Sequence, residues 1–355
     1  MTTYDYPAEL KDLIESLIRE NASDLHISTG RTPFLRVSGD LLPLTSHRVY
    51  TKEDTMALLQ LMIIPSKLEA FKNGDEVDFS YDFEGRVRLR GNAFLQKNSA
   101  SIALRAIQKV KSLKELNLPE QLVQFARKRQ GFFLVVGPVG SGKSTTLAAL
   151  INMINKERRE HIVTIEDPME YAFEEEHSVI DQREIGIDSK DFESALKSVF
   201  RQDVNVIMIG EMRSPETMVT AVTAAETGHL VLSTLHTNTA SQSIDRIIDS
   251  FPPNQQDQIR AQLSSTLLGI FSQRLIPGVS GGVVPAYELL INNSAVANLI
   301  REGRTHELDT VIETGLEVGM IDMNRSLLDL VRNQKITLEN AYRYSTNPKA
   351  LERLL

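Results

Sequence analysis

Near the amino end, apolar residues recur at helical spacing. Leu10, Leu13, Ile14, Leu17 and Ile18 line one face and predict a first helix. The period then shortens to two. DLHIS, FLRVSG, VDFSYDF, RVRLRGNAFL and SIALRAI are short segments rich in branched and aromatic residues, several of them alternating, which predicts strands with one face covered. Together they predict a small mixed α/β domain over residues 1–107. The charged stretch beginning QKVKSLKELNLPE predicts a linker over residues 108–120, with Pro119 placed to start a helix.

Beyond the linker, strands alternate with helices. GFFLVVG is a nearly continuous apolar run of the kind covered on both faces of a sheet. The following KSTTLAALINMINKERRE keeps a helical stripe that includes Leu147, Leu150, Ile151 and Ile154. HIVTIED, VNVIMIGE and HLVLSTLH predict further strands with helical segments between them. The pattern predicts an α/β core over residues 121–284, with a parallel, right-handed sheet that takes its ligand at the carboxyl ends of the strands. From Pro285 the chain reads as helical and polar-rich, as in SAVANLIREG and NRSLLDLVRNQ, which predicts a helical tail over residues 285–355.

Composition narrows the function classes. A chain of 355 residues, 41% hydrophobic and 24% charged, fits a soluble, folded protein of about two domains. A formal net charge of −8 opposes nucleic acid as the main ligand, and no Lys/Arg cluster is interleaved with stacking aromatics. The absence of cysteine excludes disulfides, Cys-ligated zinc and a thiol nucleophile. The start MTTYDYPAEL has no basic region followed by an apolar run, and no later run approaches the ~20 apolar residues that span a bilayer. The expectation is a cytoplasmic protein with no direct membrane insertion.

The chemistry is concentrated in GPVGSGKS, Gly137 to Ser144, which matches G-x-x-x-x-G-K-[ST]. Gly137, Gly140 and Gly142 allow the tight curvature with which backbone amides surround a β-phosphate. Lys143 would reach the β- and γ-phosphates, and Ser144 would place its hydroxyl on Mg²⁺. Pro138, Val139 and Ser141 within the loop and Thr145 after it complete the predicted nucleotide-binding set. A glycine turn before an ordinary helix is the plain alternative; the apolar strand before the loop and the helix after it argue against that.

Two further strand ends carry acids. TIEDPMEY places Glu166 and Asp167 after one strand, and VIMIGEMR places Glu211 after another. Glu211 is the expected water-activating carboxylate and a second metal-side residue with Ser144, while Glu166 would support the metal or water network. Gly210 stands where many phosphate-loop enzymes keep an acidic metal partner. His229 opens the strand HLVLSTLH and His236 closes it, so either could sense phosphate, against the plainer reading of imidazoles satisfied at a sheet edge. Seven histidines without His-Glu-x-x-His spacing argue against a zinc hydrolase. Arg86, Arg88 and Arg90 alternate with Val87 and Leu89, and Arg105 lies in the next strand. Such alternation also describes a solvated basic face. Arg88, Arg90 and Arg105 are nonetheless candidates to complete the catalytic site from another domain or subunit by neutralising charge on a γ-phosphate.

In order along the chain, SDLHIS, GPVGSGKSTTLAAL, HIVTIEDPMEY, AAETGHLVLSTLHTNTA, IDRIID and FPP on either side of Ser250, and NLIREG resemble the type II/IV secretion ATPases and, within them, the PilT-like pilus retraction ATPases. The resemblance implies a PAS-like amino-terminal domain and a RecA-like ATPase domain. It also implies a cytoplasmic homohexamer, peripheral at the inner-membrane base of a type IV pilus, that hydrolyses ATP with Mg²⁺ against a platform protein. Lys143 and Ser144 take the Walker A roles, Glu166 falls in the Asp box, Glu211 is the Walker B glutamate, and His229 and His236 fall in the His box. Arg88, Arg90 and Arg105 match the basic strands. Departures from the pattern are Gln108, Val139, Val204, Asn205, Ser214 and Ala297, the last replacing the first arginine of a late motif linked to retraction. That replacement leaves open an accessory role beside a related retraction ATPase. A pilus extension or type II secretion ATPase and a nucleotide-gated scaffold with little turnover are the alternatives. Early onset of the first helix and the lack of cysteine favour the retraction branch.

Overall fold

The computed structural model describes residues 4–354 except Ser38; residues 1–3 of the expected first domain and the side chain of Gln108 lie outside the described residues. The chain divides into two compact units, Met1–Gln108 and Lys109–Leu355.

In the first unit, helix α1 (Tyr6–Arg19) starts where the Asp5 carboxylate accepts from the Ala8 amide at 3.1 Å, with Pro7 in the first turn. It buries Leu10, Leu13, Ile14 and Leu17, the face expected from the spacing. The strands are β1 (Asp24–Ser28), β2 (Phe34–Val37) and β3 (Asp40–Pro43), then β4 (Val77–Phe83), β5 (Val87–Gln96) and β6 (Ser99–Ala106), with α2 (Lys52–Gln60) and α3 (Pro65–Lys72) between the two groups. They form an antiparallel sheet in the order β3-β2-β1-β6-β5-β4. Leu25, Ile27, Leu89, Ile102 and Leu104 are buried in one core with the helices.

The other face carries a charged row. Asp24 lies opposite both Arg36 and Arg105, and Arg105 lies opposite Arg90. Arg105 Nε donates to Asp24 Oδ1 at 2.8 Å. Burial opposes ionisation of Asp24, but the Ser23 hydroxyl and Arg105 hold its carboxyl below the usual range. Arg86, read as part of the alternation, instead sits in the turn before β5 and pairs with Glu15 at 2.9 Å.

The short strand β7 (Gln108–Lys109) spans the boundary between the units in sequence, and in the second unit a 3₁₀ turn, Glu120–Leu122, follows Pro119 directly and leads into α4 (Val123–Ala126). Then come β8 (Gly131–Val136), α5 (Lys143–Glu157), β9 (His161–Glu166), β10 (Tyr171–Ala172), β11 (Val179–Glu184), α6 (Phe192–Val199), β12 (Val206–Ile209), α7 (Pro215–Glu226), β13 (Leu230–Leu235), α8 (Ala240–Asp249) and α9 (Pro253–Thr266). Strands β14 (Leu267–Pro277) and β15 (Val283–Ile291) complete a seven-stranded sheet in the order β11-β9-β12-β13-β8-β14-β15. All neighbours pair in parallel except β14 with β15. Strand β8 is buried along its whole length, as its unbroken apolar run requires.

One expectation is corrected. The sheet runs past residue 285 to Ile291, and helices resume with α10 (Ser294–Glu302), α11 (Leu308–Thr314), α12 (Met323–Arg332), α13 (Leu338–Tyr344) and α14 (Pro348–Leu354). Pro285 is tolerated because β15 is an edge strand and needs no amide donor on its open side. No helix among the described residues is long and apolar enough to cross a membrane.

Candidate nucleotide site

The loop from Gly137 to Gly142 joins the carboxyl end of the central strand β8 to α5. Its conformation depends on glycine: Gly137 has φ 149° and Gly142, the residue before α5, has φ 85°. Helix α5 starts with no side-chain cap, so its first amides face the loop. Lys143 folds back over the loop, with Nζ donating to the carbonyls of Gly137 at 3.0 Å and Pro138 at 3.1 Å. Burial lowers its pKa, and Glu170 opposes the shift.

The acids converge on the same pocket, a cavity of about 450 Å³. Glu166 ends β9 and is buried; Thr164 Oγ1 donates to its Oε1 at 2.7 Å and Gln182 Nε2 at 3.3 Å. Burial pushes its pKa up to about 7 against those bonds. Glu211, just after β12, pairs with Arg213, and its Oε2 lies 3.3 Å from His236 Nε2. Arg213 also reaches Asp167 at 3.8 Å. His236 Nδ1 lies 3.4 Å from Lys143 Nζ, which makes a continuous chain of Lys143, His236, Glu211 and Arg213.

Ser144 Oγ donates to Glu170 Oε1 at 3.3 Å, and Thr145 Oγ1 lies 2.7 Å from the Tyr171 hydroxyl. No cluster of three His, Cys, Asp or Glu side chains among the described residues could hold a metal by itself. A Cβ at Gly210 would come within 3.3 Å of the Ile165 carbonyl, so this position favours the smallest residue. The donor set suits Mg²⁺, which binds through one or two protein oxygens and fills its shell with phosphate and water. Ser144 is the protein oxygen at the helix start, while the Glu211 carboxylate is engaged by Arg213 and His236.

The histidines part company. His236 enters the pocket, whereas His229 precedes β13 at the amino edge of the sheet, roughly 20 Å along the strand. Its Nδ1 lies 3.0 Å from the Ala224 carbonyl and its ring meets Phe200 edge-on. The structure therefore does not bring His229 to the loop of its own chain, because a parallel sheet sends the two ends of one strand to opposite edges. Arg88, Arg90 and Arg105 belong to the amino-terminal unit. Glu170, Tyr171, Arg213 and Gln273 touch the predicted site residues, and the sequence pattern does not single them out. For Glu170 the one signal is a second glutamate in TIEDPMEY.

A phosphate loop at the end of a central parallel strand, flanked by acid-bearing strand ends, defines a P-loop ATPase with a RecA-like core. The chain belongs to the family described as Type II/IV secretion system protein, whose model matches residues 7–347. It is 39% identical over 338 residues to the type IV pilus retraction ATPase PilT of Pseudomonas aeruginosa, covering 94% of this chain and 97% of that one. It is 38% identical over 349 residues to the type IV pilus ATPase PilU of the same organism, covering 98% and 91%. A crystal structure of the pilus retraction motor PilT with bound ADP superposes with a TM-score of 0.90 at 42% identity, covering 96% and 98%.

Proposed function

We propose that this protein hydrolyses ATP with Mg²⁺ as a homohexameric motor that drives type IV pilus retraction. It would act in the cytoplasm at the inner-membrane base of the pilus, against a platform protein. The observation that carries this reading is the chain of contacts from Lys143 through His236 to Glu211, which joins the phosphate-gripping lysine to the carboxylate at the end of β12. Similarity to a PilT over nearly its whole length supports the cellular role.

In this mechanism the backbone amides between Val139 and Thr145 and the Lys143 ammonium bind the phosphates. Glu211 orients and deprotonates the attacking water, and Glu166 holds the surrounding hydrogen bonds in place. Bound through Ser144, Mg²⁺ would neutralise charge on the phosphates. Lys143 must exchange the carbonyls of Gly137 and Pro138 for phosphate oxygens, and that exchange also loosens its contact with His236. Arg88, Arg90 and Arg105 are proposed to meet the γ-phosphate from the same or a neighbouring subunit, which would tie turnover to domain closure.

A second reading, an accessory retraction ATPase working beside a related one, is favoured by Ala297 on α10 and by the comparable similarity to a PilU. Deletion of the gene separates the readings. Accumulated, immobile pili support the motor; pili lost altogether support an extension ATPase; retraction that fails only under load supports the accessory role. Purified protein that binds ATP without releasing phosphate, even as a ring beside its platform protein, would point to a scaffold.

A further inference from the structure

Strand β14 runs beside the loop strand β8 and sends alternate side chains to opposite faces of the sheet. Gln273 lies in this strand, 3% exposed, a buried amide between Ser272 and Arg274. Its Oε1 accepts a hydrogen bond from Thr146 Oγ1 at 2.6 Å, in the first turn of α5. It also touches both ends of the phosphate loop. A Cβ at Gly137 would meet the Gln273 carbonyl oxygen at 2.3 Å, and one at Gly142 would meet Gln273 Nε2 at 3.0 Å. The loop's own buried hydroxyl, Ser141 Oγ, makes no hydrogen bond among the described residues, so it does not brace the loop from within.

Burying an amide is costly unless its polar atoms find partners, and an aliphatic side chain would fill the same volume without that cost. What the amide adds is a fixed point common to the last glycine and the opening turn of the helix, while the backbone carbonyl of the same residue lies against the first glycine. We propose that Gln273 is a positioning residue of the phosphate loop. Its amide holds Gly142 and Thr146 in the arrangement that aims the loop amides at one phosphate, and so sets nucleotide affinity rather than the rate of the chemical step. A loop organised in advance binds more tightly because less ordering remains to be done on binding. This inference rests on the reading of the loop as a nucleotide site.

The test uses the full chain with Q273M, which keeps volume but loses the amide, T146V, which loses the hydroxyl donor, T146S, which keeps it, and the Q273M/T146V double variant. Fluorescent ADP with Mg²⁺ is titrated into each, steady-state hydrolysis is followed, and the melting temperature is measured without nucleotide. Q273M and T146V each weaken ADP binding about tenfold and raise KM in parallel with kcat within about twofold; T146S binds like the parent. The double variant binds no more weakly than the weaker single variant, because both remove one bond. Binding by Q273M within twofold of the parent, with or without a lower melting temperature, overturns the proposal, as do losses that multiply in full. Should Q273M fail to fold, T146V against T146S decides by the same criterion. A parent that binds no ADP would instead overturn the nucleotide reading itself.

Discussion

His236 Nε2 lies 3.3 Å from Glu211 Oε2. On the other side of the ring, Lys143 can only donate, so Nδ1 accepts from it and Nε2 carries the proton that Glu211 accepts. Burial, with Lys143 and Arg213 nearby, holds the imidazole below its usual pKa and keeps this neutral tautomer. Glu211 and His236 should therefore act as one unit. Glu211→Gln is expected to leave ATP binding intact and to lower turnover at least ~100-fold; His236→Ala should lower it by ~10–100-fold. The double variant should be no slower than Glu211→Gln alone, as read by phosphate release. Multiplicative losses would show that the histidine works independently.

The glycines of the loop are not equivalent. A Cβ at Gly137 would meet backbone at 2.3 Å, whereas one at Gly140 finds nothing within 4 Å, although its φ of 77° is left-handed. Gly140→Ala should cost only the left-handed backbone penalty of about 1–2 kcal/mol. Gly137→Ala must displace either the loop or β14, and should weaken nucleotide binding at least ~10-fold more than Gly140→Ala in the same calorimetric titration. Equal effects would contradict this geometry.

Glu288 on β15 is buried, with Oε1 accepting from the Ala240 amide at 2.8 Å. Burial pushes its pKa up to about 7; the Ala240 bond opposes the shift, Asp309 and Asp322 add to it, and Arg274 opposes it weakly. The folded state thus holds a proton that the unfolded state releases near the ordinary glutamate value. The resulting stability is complete below that value and is lost as pH rises through about 7. Glu288→Gln should flatten this fall and raise the melting temperature at pH 8 by roughly 2–4 °C. A variant with the parent's slope between pH 5 and 8 would exclude Glu288 as its source.

Among the three candidate arginines, Arg105 already pairs with Asp24, while Arg90 makes no ion pair among the described residues. A guanidinium engaged by a carboxylate must give it up to serve a phosphate, at a cost the unpaired one avoids. Arg90→Ala is expected to reduce turnover by ~10-fold or more, and Arg105→Ala by less, in assembled protein. The reverse order would assign the phosphate contact to Arg105.

The parts of the site that sequence reveals are those with local constraints. Three glycines, a lysine and a serine at fixed spacing suit little besides a phosphate cradle, and the all-apolar β8 announces a strand covered on both faces. The expected first helix and β1, β2, β4, β5 and β6 follow their periodicity into the structure. Contacts between distant segments are not legible in this way: Gln273 and Thr146 lie 127 positions apart, and a single glutamine in FSQRLIP carries no mark of what it faces. Strand direction is the missing fact for the histidines, since His229 and His236 flank one strand symmetrically in sequence and asymmetrically in a parallel sheet. Pro285 and Glu288 make β15 look unlike a strand, although an edge position accepts the first and the Ala240 amide satisfies the second. Helix α2 does carry a local signal that hydrophobic periodicity misses, the reciprocal cap between Thr51 and Asp54.

Because β8 lies between β13 and β14, the phosphate loop has two shoulders built from different stretches of chain, one leading to His236 and the other to Gln273. A close-packed sheet does not let one shoulder drop while the other stays still. Whatever tilts the loop when a phosphate arrives or leaves is therefore felt at once by α8, which follows β13, and by the edge hairpin of β14 and β15.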